Sequence, residues 1–189
     1  MKKLIYLMMF LVYSFVAIAK DKSLTEITSL EMRVKESILL NGERKNSEYT
    51  LKFIKPDFLR KDILSPELNK GEVYIYDSGK KIVYLPLFDQ VSEENESVEE
   101  NSILKAINHL LDKEKIDEKF KKDYYSKKLK EITLEDGTRI EISKYHKYND
   151  FLLPREYTIY DGKTLVGKFY IEECQVNNKL DKEELSKYD

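Results

Sequence analysis

Two histidines, His109 and His146, are the chain's only imidazoles, and neither has a partner at the i+4 helical spacing that would let two rings share a metal. Glu172, Glu173 and Cys174 offer three ligand atoms in succession, but neighbours on a strand point to opposite faces, so at most two of them converge. There is no G-x-S-x-G elbow, no P-loop and no dinucleotide fingerprint. Carboxylates are spread along the whole chain, so spacing picks out no pair for acid–base work. These residues lead to the expectation of no catalytic residue, no metal ligand and no cofactor. Cys174, the one cysteine, has no His beside it and reads as a small buried apolar residue.

The tyrosines point to binding. Of the 14, Tyr74, Tyr76, Tyr84, Tyr157, Tyr160 and Tyr170 fall on expected strands, where an amphipathic ring can line a pocket and keep its hydroxyl wet. Ordinary β propensity would place them there as well.

The elements that carry these side chains begin after an export signal. Lys2 and Lys3, the apolar run Leu4 to Val16 and the small residues Ala17-Ile18-Ala19 read as a signal peptide, residues 1–19, cleaved after Ala19. The run is interrupted by Tyr13 and Ser14, which argues against a membrane anchor needing about 20 apolar residues. Residues 20–189 are then expected to be a single domain with enough length for its own core. Setting aside Lys2 and Lys3 leaves 31 basic residues against 35 acidic, a net charge of about −4 that gives nucleic acid no electrostatic reason to bind.

Ser23 with Glu26 forms a capping-box pattern, and Leu24, Ile27, Leu30 and Val34 could line a short helix before alternation takes over near Leu30. Strands are expected at Tyr49 to Ile54, Phe58 to Leu64, Val73 to Tyr76, Ile82 to Leu85, Lys130 to Leu134, Thr138 to Ser143, Tyr157 to Tyr160 and Thr164 to Ile171. Asp136-Gly137 and Asp161-Gly162 favour type I′ turns, and Gly79 can supply positive φ to the earlier hairpin. Both faces of that hairpin are apolar or aromatic, so something must cover each of them, or one must line a cavity. Ser92 to Asn101 reads as an acidic loop, with a capping box at Ser97 to Glu100 opening a helix. In that helix Ile103, Leu104, Ile107, Leu110 and Leu111 make one apolar stripe that must lie on something greasy. Asp112 to Lys130 reads as a solvated, partly helical connection anchored by Phe120, Tyr124 and Tyr125. The charged tail after Asn178 reads as a short helix or frayed end. The sum is a meander of about nine antiparallel strands with a helical insertion after the fifth.

Over Leu51 to Arg60 and Ile75 to Val91 the chain resembles the periplasmic outer-membrane lipoprotein carriers, the LolA-like family. A strand ends in Lys55-Pro56, an Asp77-Ser78-Gly79-Lys80 turn follows, and the aromatic strand ends in Tyr84-Leu85-Pro86 with Gln90 after it. The resemblance implies an α+β fold, a curved antiparallel sheet forming an incomplete half-barrel with a helical lid over its concave face. It implies an exported, non-enzymatic periplasmic carrier of lipoprotein acyl chains or a related lipid, with transient contacts to inner- and outer-membrane lipoprotein machinery and a monomeric state. An envelope stress sensor of the same fold is the alternative. The cavity would be lined by Leu51, Phe53, Leu59, Ile63, Val73, Ile75, Ile82 and Tyr84, and the lid would be Ile103, Leu104, Ile107, Leu110 and Leu111. Lys55 takes the place of the basic residue that latches the lid in the family; a Lys is a point charge where an Arg would offer a planar fork.

Overall fold

Every sheet connection in the computed structural model, which describes residues 21–40, 42–96 and 101–188, is antiparallel. Six strands come first: β1 (Ser29–Leu40), β2 (Glu43–Ile54), β3 (Phe58–Ser65), β4 (Val73–Asp77), β5 (Lys80–Leu85) and β6 (Gln90–Asn95). Two helices, α1 (Ser102–Ile116) and α2 (Glu118–Tyr125), precede β7 (Glu131–Thr133), β8 (Thr138–Tyr148), β9 (Phe151–Asp161) and β10 (Thr164–Val176); α3 (Lys182–Leu185) ends the fold. The ten strands form one open, curved sheet in the order β6-β5-β4-β3-β2-β1-β10-β9-β8-β7.

That order dictates where the helices go. The first six strands step outward from β1 to one edge, and the last four step inward from the other edge to pair β10 with β1. The chain between β6 and β7 must therefore travel from one edge of the sheet to the opposite one. It crosses the concave face as α1 and α2, and the space between is filled by apolar side chains of both layers, with Phe53, Leu104 and Tyr124 fully buried. The architecture is a half-barrel with a helical cover.

Register shifts at Arg33/Val34 and Glu48/Tyr49, near Lys144 and at Leu165/Gly167 bend the long central strands, the local geometry that lets an open sheet curve. At Gly167 two strands approach so closely that a Cβ would meet Ile38 Cγ2 at 2.9 Å. A larger residue there would force the Ile38 side chain to shift.

The capping box is present, with Ser23 Oγ and Glu26 each bonding the other's backbone N–H, but it closes only a 3-10 turn at Leu24–Glu26. The expected helix stops there because β1 begins at Ser29 and recruits Leu30 and Val34 into the sheet. The pattern expected at Ser97 to Glu100 lies outside the described residues; Asn101 caps α1 by accepting from the Leu104 N–H at 3.1 Å. Part of the expected acidic loop is a strand, β6, an exposed edge whose glutamates pair with lysines of β5, Lys80 with Glu93 at 2.7 Å and Lys81 with Glu94 at 3.7 Å. The type I′ requirement of positive φ at both central residues is met at Ser78 and Gly79; at Asp136-Gly137 the positive φ is at Gly137.

The two-faced hairpin of β4 and β5 is covered on both sides. Tyr74 and Tyr76 join the large cluster on the concave side, while Val73 and Ile75 turn the other way and pack with Phe58, Ile54, Ile82, Tyr84 and Leu185 of α3. The C-terminal strap is fastened by Arg60. Its guanidinium donates to the Leu185 carbonyl at 2.8 Å and to the Lys187 carbonyl, and pairs with Asp62 at 2.8 Å. Lys182 reaches Asp77 at 2.7 Å, and Tyr188 stacks on Tyr84 with centroids 5.4 Å apart. Charge-assisted hydrogen bonds of this kind contribute about 1.5–3 kcal/mol. Arg60→Ala is expected to lower unfolding stability by about that amount and to raise amide exchange in α3; denaturant titration and hydrogen exchange would show neither change if the strap were loosely held.

Candidate functional site

The apolar stripe of α1 seats against the sheet. Leu104 and Leu111, two turns apart, are buried in the same cluster as Leu51, Phe53, Leu59 and Ile63, and Ile103, Ile107 and Leu110 pack at its margin. Each such side chain fully removed from water contributes about 1.5–3 kcal/mol. Helix α2 adds Phe120 and Tyr124, whose hydroxyl donates to the Leu152 carbonyl at 2.8 Å. The segment expected as a solvated connection is thus a second covering helix, with Tyr124 as its wholly buried anchor.

The residues singled out from sequence fall into two groups. Leu51, Phe53, Leu59 and Ile63 meet the α1 residues; Val73, Ile75, Ile82 and Tyr84 form or flank the separate cluster beneath the C-terminal strap. The cause is strand alternation. Leu59 pairs with Tyr76, so Tyr76 and Tyr74 share its face, and Val73 and Ile75 take the opposite one.

Polar contacts fasten the cover at both ends. Near its C-terminal end, α1 buries the Glu114 carboxylate, 3% exposed, which accepts from Ser23 Oγ at 2.8 Å, the Thr25 N–H at 2.9 Å and the Tyr125 hydroxyl at 2.5 Å. The Tyr125 hydroxyl also accepts from the Leu24 N–H at 3.1 Å and lies 3.1 Å from the Lys22 carbonyl. Burial, then the bond to Glu114, pushes the Tyr125 phenol well above its ordinary range. At the other end Lys105 pairs with Asp136 of the β7–β8 turn at 2.5 Å, and that bond, the largest cause, holds the Asp136 carboxyl down at about 2. Lys55 does not touch α1 directly: its ammonium reaches the Thr25 carbonyl at 3.4 Å, and Thr25 is the residue whose N–H Glu114 holds. Glu114 was absent from the sequence-based candidates. It lies three residues after Leu111, an acid on the apolar stripe, and that mismatch is the signal that marks it.

A second acid interrupts an apolar row in the same way. Glu36 sits between Val34 and Ile38 on β1; it accepts from Ser47 Oγ at 3.3 Å and pairs with Lys61 at 3.6 Å. Lys61 lies 3.9 Å over the Tyr49 ring. Burial above all pushes the Tyr49 phenol well above its usual range, and Glu36 adds to this.

A cavity of about 600 Å³ is lined by residues of β3, β2, β1, β10, β9 and β8 and by none of α1. None of the apolar candidates lines it; they are packed against one another. A smaller recess of about 190 Å³ lies by Leu68, Leu87 and Phe88, which are strongly exposed at the β3–β4 and β5–β6 turns. Burial raises the Cys174 thiol to about 12, where it is unreactive. Among the described residues no three His, Cys, Asp or Glu side chains gather to hold a metal, and no helix is long and apolar enough to cross a membrane.

Comparison with solved structures places this geometry. A domain from Vibrio parahaemolyticus described as an outer membrane lipoprotein-sorting protein superposes with a TM-score of 0.59 at 11% identity, covering 89% of this chain and 92% of the other. A LolA superfamily protein from Nitrosomonas europaea superposes at 0.56 and 10% identity, covering 86% and 91%. The fold is LolA-like. A DUF1329 family protein from Desulfovibrio piger shares it, with a TM-score of 0.57 at 10% identity over 86% of this chain and 91% of the other. No protein-family model matches the sequence, and no curated protein matches it. The LolA-like likeness is therefore carried by shape at 10–11% identity.

Glu114→Ala removes the acceptor of three donors, Ser23 Oγ, the Thr25 N–H and the Tyr125 hydroxyl, and loosens the contact between α1 and residues 22–25. It is expected to cost about 2–3 kcal/mol, near the range for hydrogen bonds to a charge, with amide exchange rising first in α1 and residues 22–25. Exchange unchanged there would contradict the latch. The Lys105–Asp136 contact has the sign of a depressed carboxyl: it is complete above pH of about 4, the unfolded carboxylate's range, and weakens as pH falls toward the folded value of about 2. The same exchange measurement at acid pH should show the first turns of α1 opening ahead of the sheet.

Proposed function

We propose that this protein is an exported, non-enzymatic carrier that takes the acyl chains of a lipoprotein or related lipid between α1 and the concave face of the sheet. One observation carries the reading: the concave face of a LolA-like sheet is covered by an amphipathic helix whose own Leu104 and Leu111 fill the space. The cover is held at its ends by polar contacts that can be exchanged for water.

The energetics suit reversible carriage. Each CH₂ of an acyl chain removed from water contributes about 0.8 kcal/mol, so a long chain alone would bind almost irreversibly. Displacing α1 returns its Ile and Leu side chains to water and offsets much of that gain, so cargo can be released without an energy source. The export signal at residues 1–19 and the likeness to a lipoprotein-sorting domain support a place in the periplasm, cleavage after Ala19 and hand-over between inner- and outer-membrane machinery, with the monomer as the working form.

The test is uptake of a fluorescent diacyl lipid from vesicles. The mature protein should extract it, and Ile107→Asp, at the margin of the cluster where folding tolerates it, should weaken uptake about tenfold or more, the worth of roughly 1.4 kcal/mol. Circular dichroism would show the variant folded. Extraction by neither protein, or equal extraction by both, would contradict the reading.

A further inference from the structure

The concave face carries a polar patch that the seating of α1 does not use. Cross-strand partners share a face, so register places it: Lys61 pairs with Leu51, Glu36 with Ser47 and Phe169, and Tyr157 with Phe169. Leu51 belongs to the cluster under α1, and Tyr157 and Phe169 pack against it, so the patch continues that apolar surface. The side chains of Lys61 and Glu36 are 22% and 12% exposed, largely out of water yet within reach of a guest.

Its hydrogen bonding is one-sided. Glu36 accepts from Ser47 Oγ at 3.3 Å and lies 3.6 Å from the Lys61 ammonium, beyond hydrogen-bond distance. Lys61 rests 3.9 Å over the Tyr49 ring. Among the described residues that ammonium donates no hydrogen bond, and neither does the Tyr157 hydroxyl, whose ring stacks on Phe169 with centroids 5.1 Å apart. Neither donor is among the sealed, unpartnered polar atoms of the interior.

A guest at this patch must accept. An ammonium has three N–H donors and a phenol one O–H, and an acceptor-only group meets both without bringing in a donor that lacks a partner. The guest must also be uncharged, because an anion drawn to Lys61 meets the Glu36 carboxylate in the same poorly screened space. An ester or amide carbonyl satisfies both conditions, and it is the group that ends every esterified or amide-linked acyl chain.

We infer that Lys61 and Tyr157 form the head end of the acyl site and select cargo whose chains end in neutral ester or amide carbonyls, against free fatty acids. The inference rests on the carrier reading and adds the chemical class of the cargo to it.

Competition against a bound fluorescent lipid tests it on the mature protein with three single-chain probes: methyl decanoate, decyl methyl ether, which differs only in lacking the carbonyl oxygen, and decanoate. The wild type should prefer the ester to the ether by about tenfold, the worth of one hydrogen bond to a charged donor. Lys61→Met should erase that preference and Tyr157→Phe should reduce it, with binding of the ether unchanged in both. The preference is a ratio within each variant, so a general loss of stability does not mimic the effect. Glu36→Gln should raise the affinity for decanoate. Dioctanoylglycerol and a cysteinyl peptide carrying the same two esters separate the sources, the tighter binder marking the cargo as glycerolipid or lipoprotein. Equal binding of ester and ether by the wild type, a preference that survives Lys61→Met, or decanoate bound more tightly than its methyl ester would overturn the inference and leave the carrier standing. Failure of every probe to compete, the two-chain ones included, would remove the carrier reading and this inference with it.

Discussion

A link between opposite edges of one curved sheet has to cross the face between them, and here that face is apolar. The strand order places β6 and β7 at the two edges, with β1 and β10 paired in the middle, so the segment between β6 and β7 must cross the sheet, and its helices pack on the face of Leu51, Phe53 and Leu59. Both partners of the contact gain by leaving water: the strand residues Leu51, Phe53 and Leu59 lose their exposure, and α1 loses the exposure of Leu104 and Leu111. Position and adhesion of the cover thus follow from connectivity and hydrophobicity together.

The polar contacts decide how the cover can leave. Apolar burial alone would hold α1 without direction, whereas Glu114 fixes its end to residues 23–25 and Lys105 fixes its start to Asp136. The two attachments differ in kind. The first is buried and strands its donors if broken; the second is partly exposed and screened by solvent, so it is the weaker. Opening from the Lys105 end, with the Glu114 end acting as a hinge, follows from that difference. On the other side of the sheet, the strap held by Arg60 shields the apolar residues of β3 to β5 from water.

Much of this was legible in the residues. The stripe from Ile103 to Leu111 announced a helix lying on grease, and the two-faced pattern of Val73 to Tyr84 announced cover on both sides or a cavity on one. What covers the outer side could not be read, because Leu185 and Tyr188 lie about a hundred residues further along and carry no periodicity of their own. The sequence pattern of β4 and β5 therefore leaves open whether both faces are covered or one lines a cavity; the structure places Tyr74 and Tyr76 on one side and Val73 and Ile75 on the other. β6 was hidden because an edge strand facing water can be acidic and need bury little. Tyr124 was recognised as an anchor, though the surrounding lysines and aspartate concealed how completely it is buried. Glu114 and Glu36 had a signal, an acid standing in an apolar row, that propensity reasoning treats as noise. The cavity of about 600 Å³ arises from cross-strand register between distant segments, which no local pattern encodes.

The account turns on α1 giving up its place to the cargo. Spin labels on an exposed position of α1 and on an exposed position of β2, with Cys174 replaced by Ser, would report their separation by pulsed dipolar spectroscopy before and after loading with a diacylated peptide. The separation is expected to lengthen, and its distribution to broaden, when the acyl chains are bound. An unaltered distance in protein that demonstrably carries the peptide would contradict the displacement of α1 and with it the central claim.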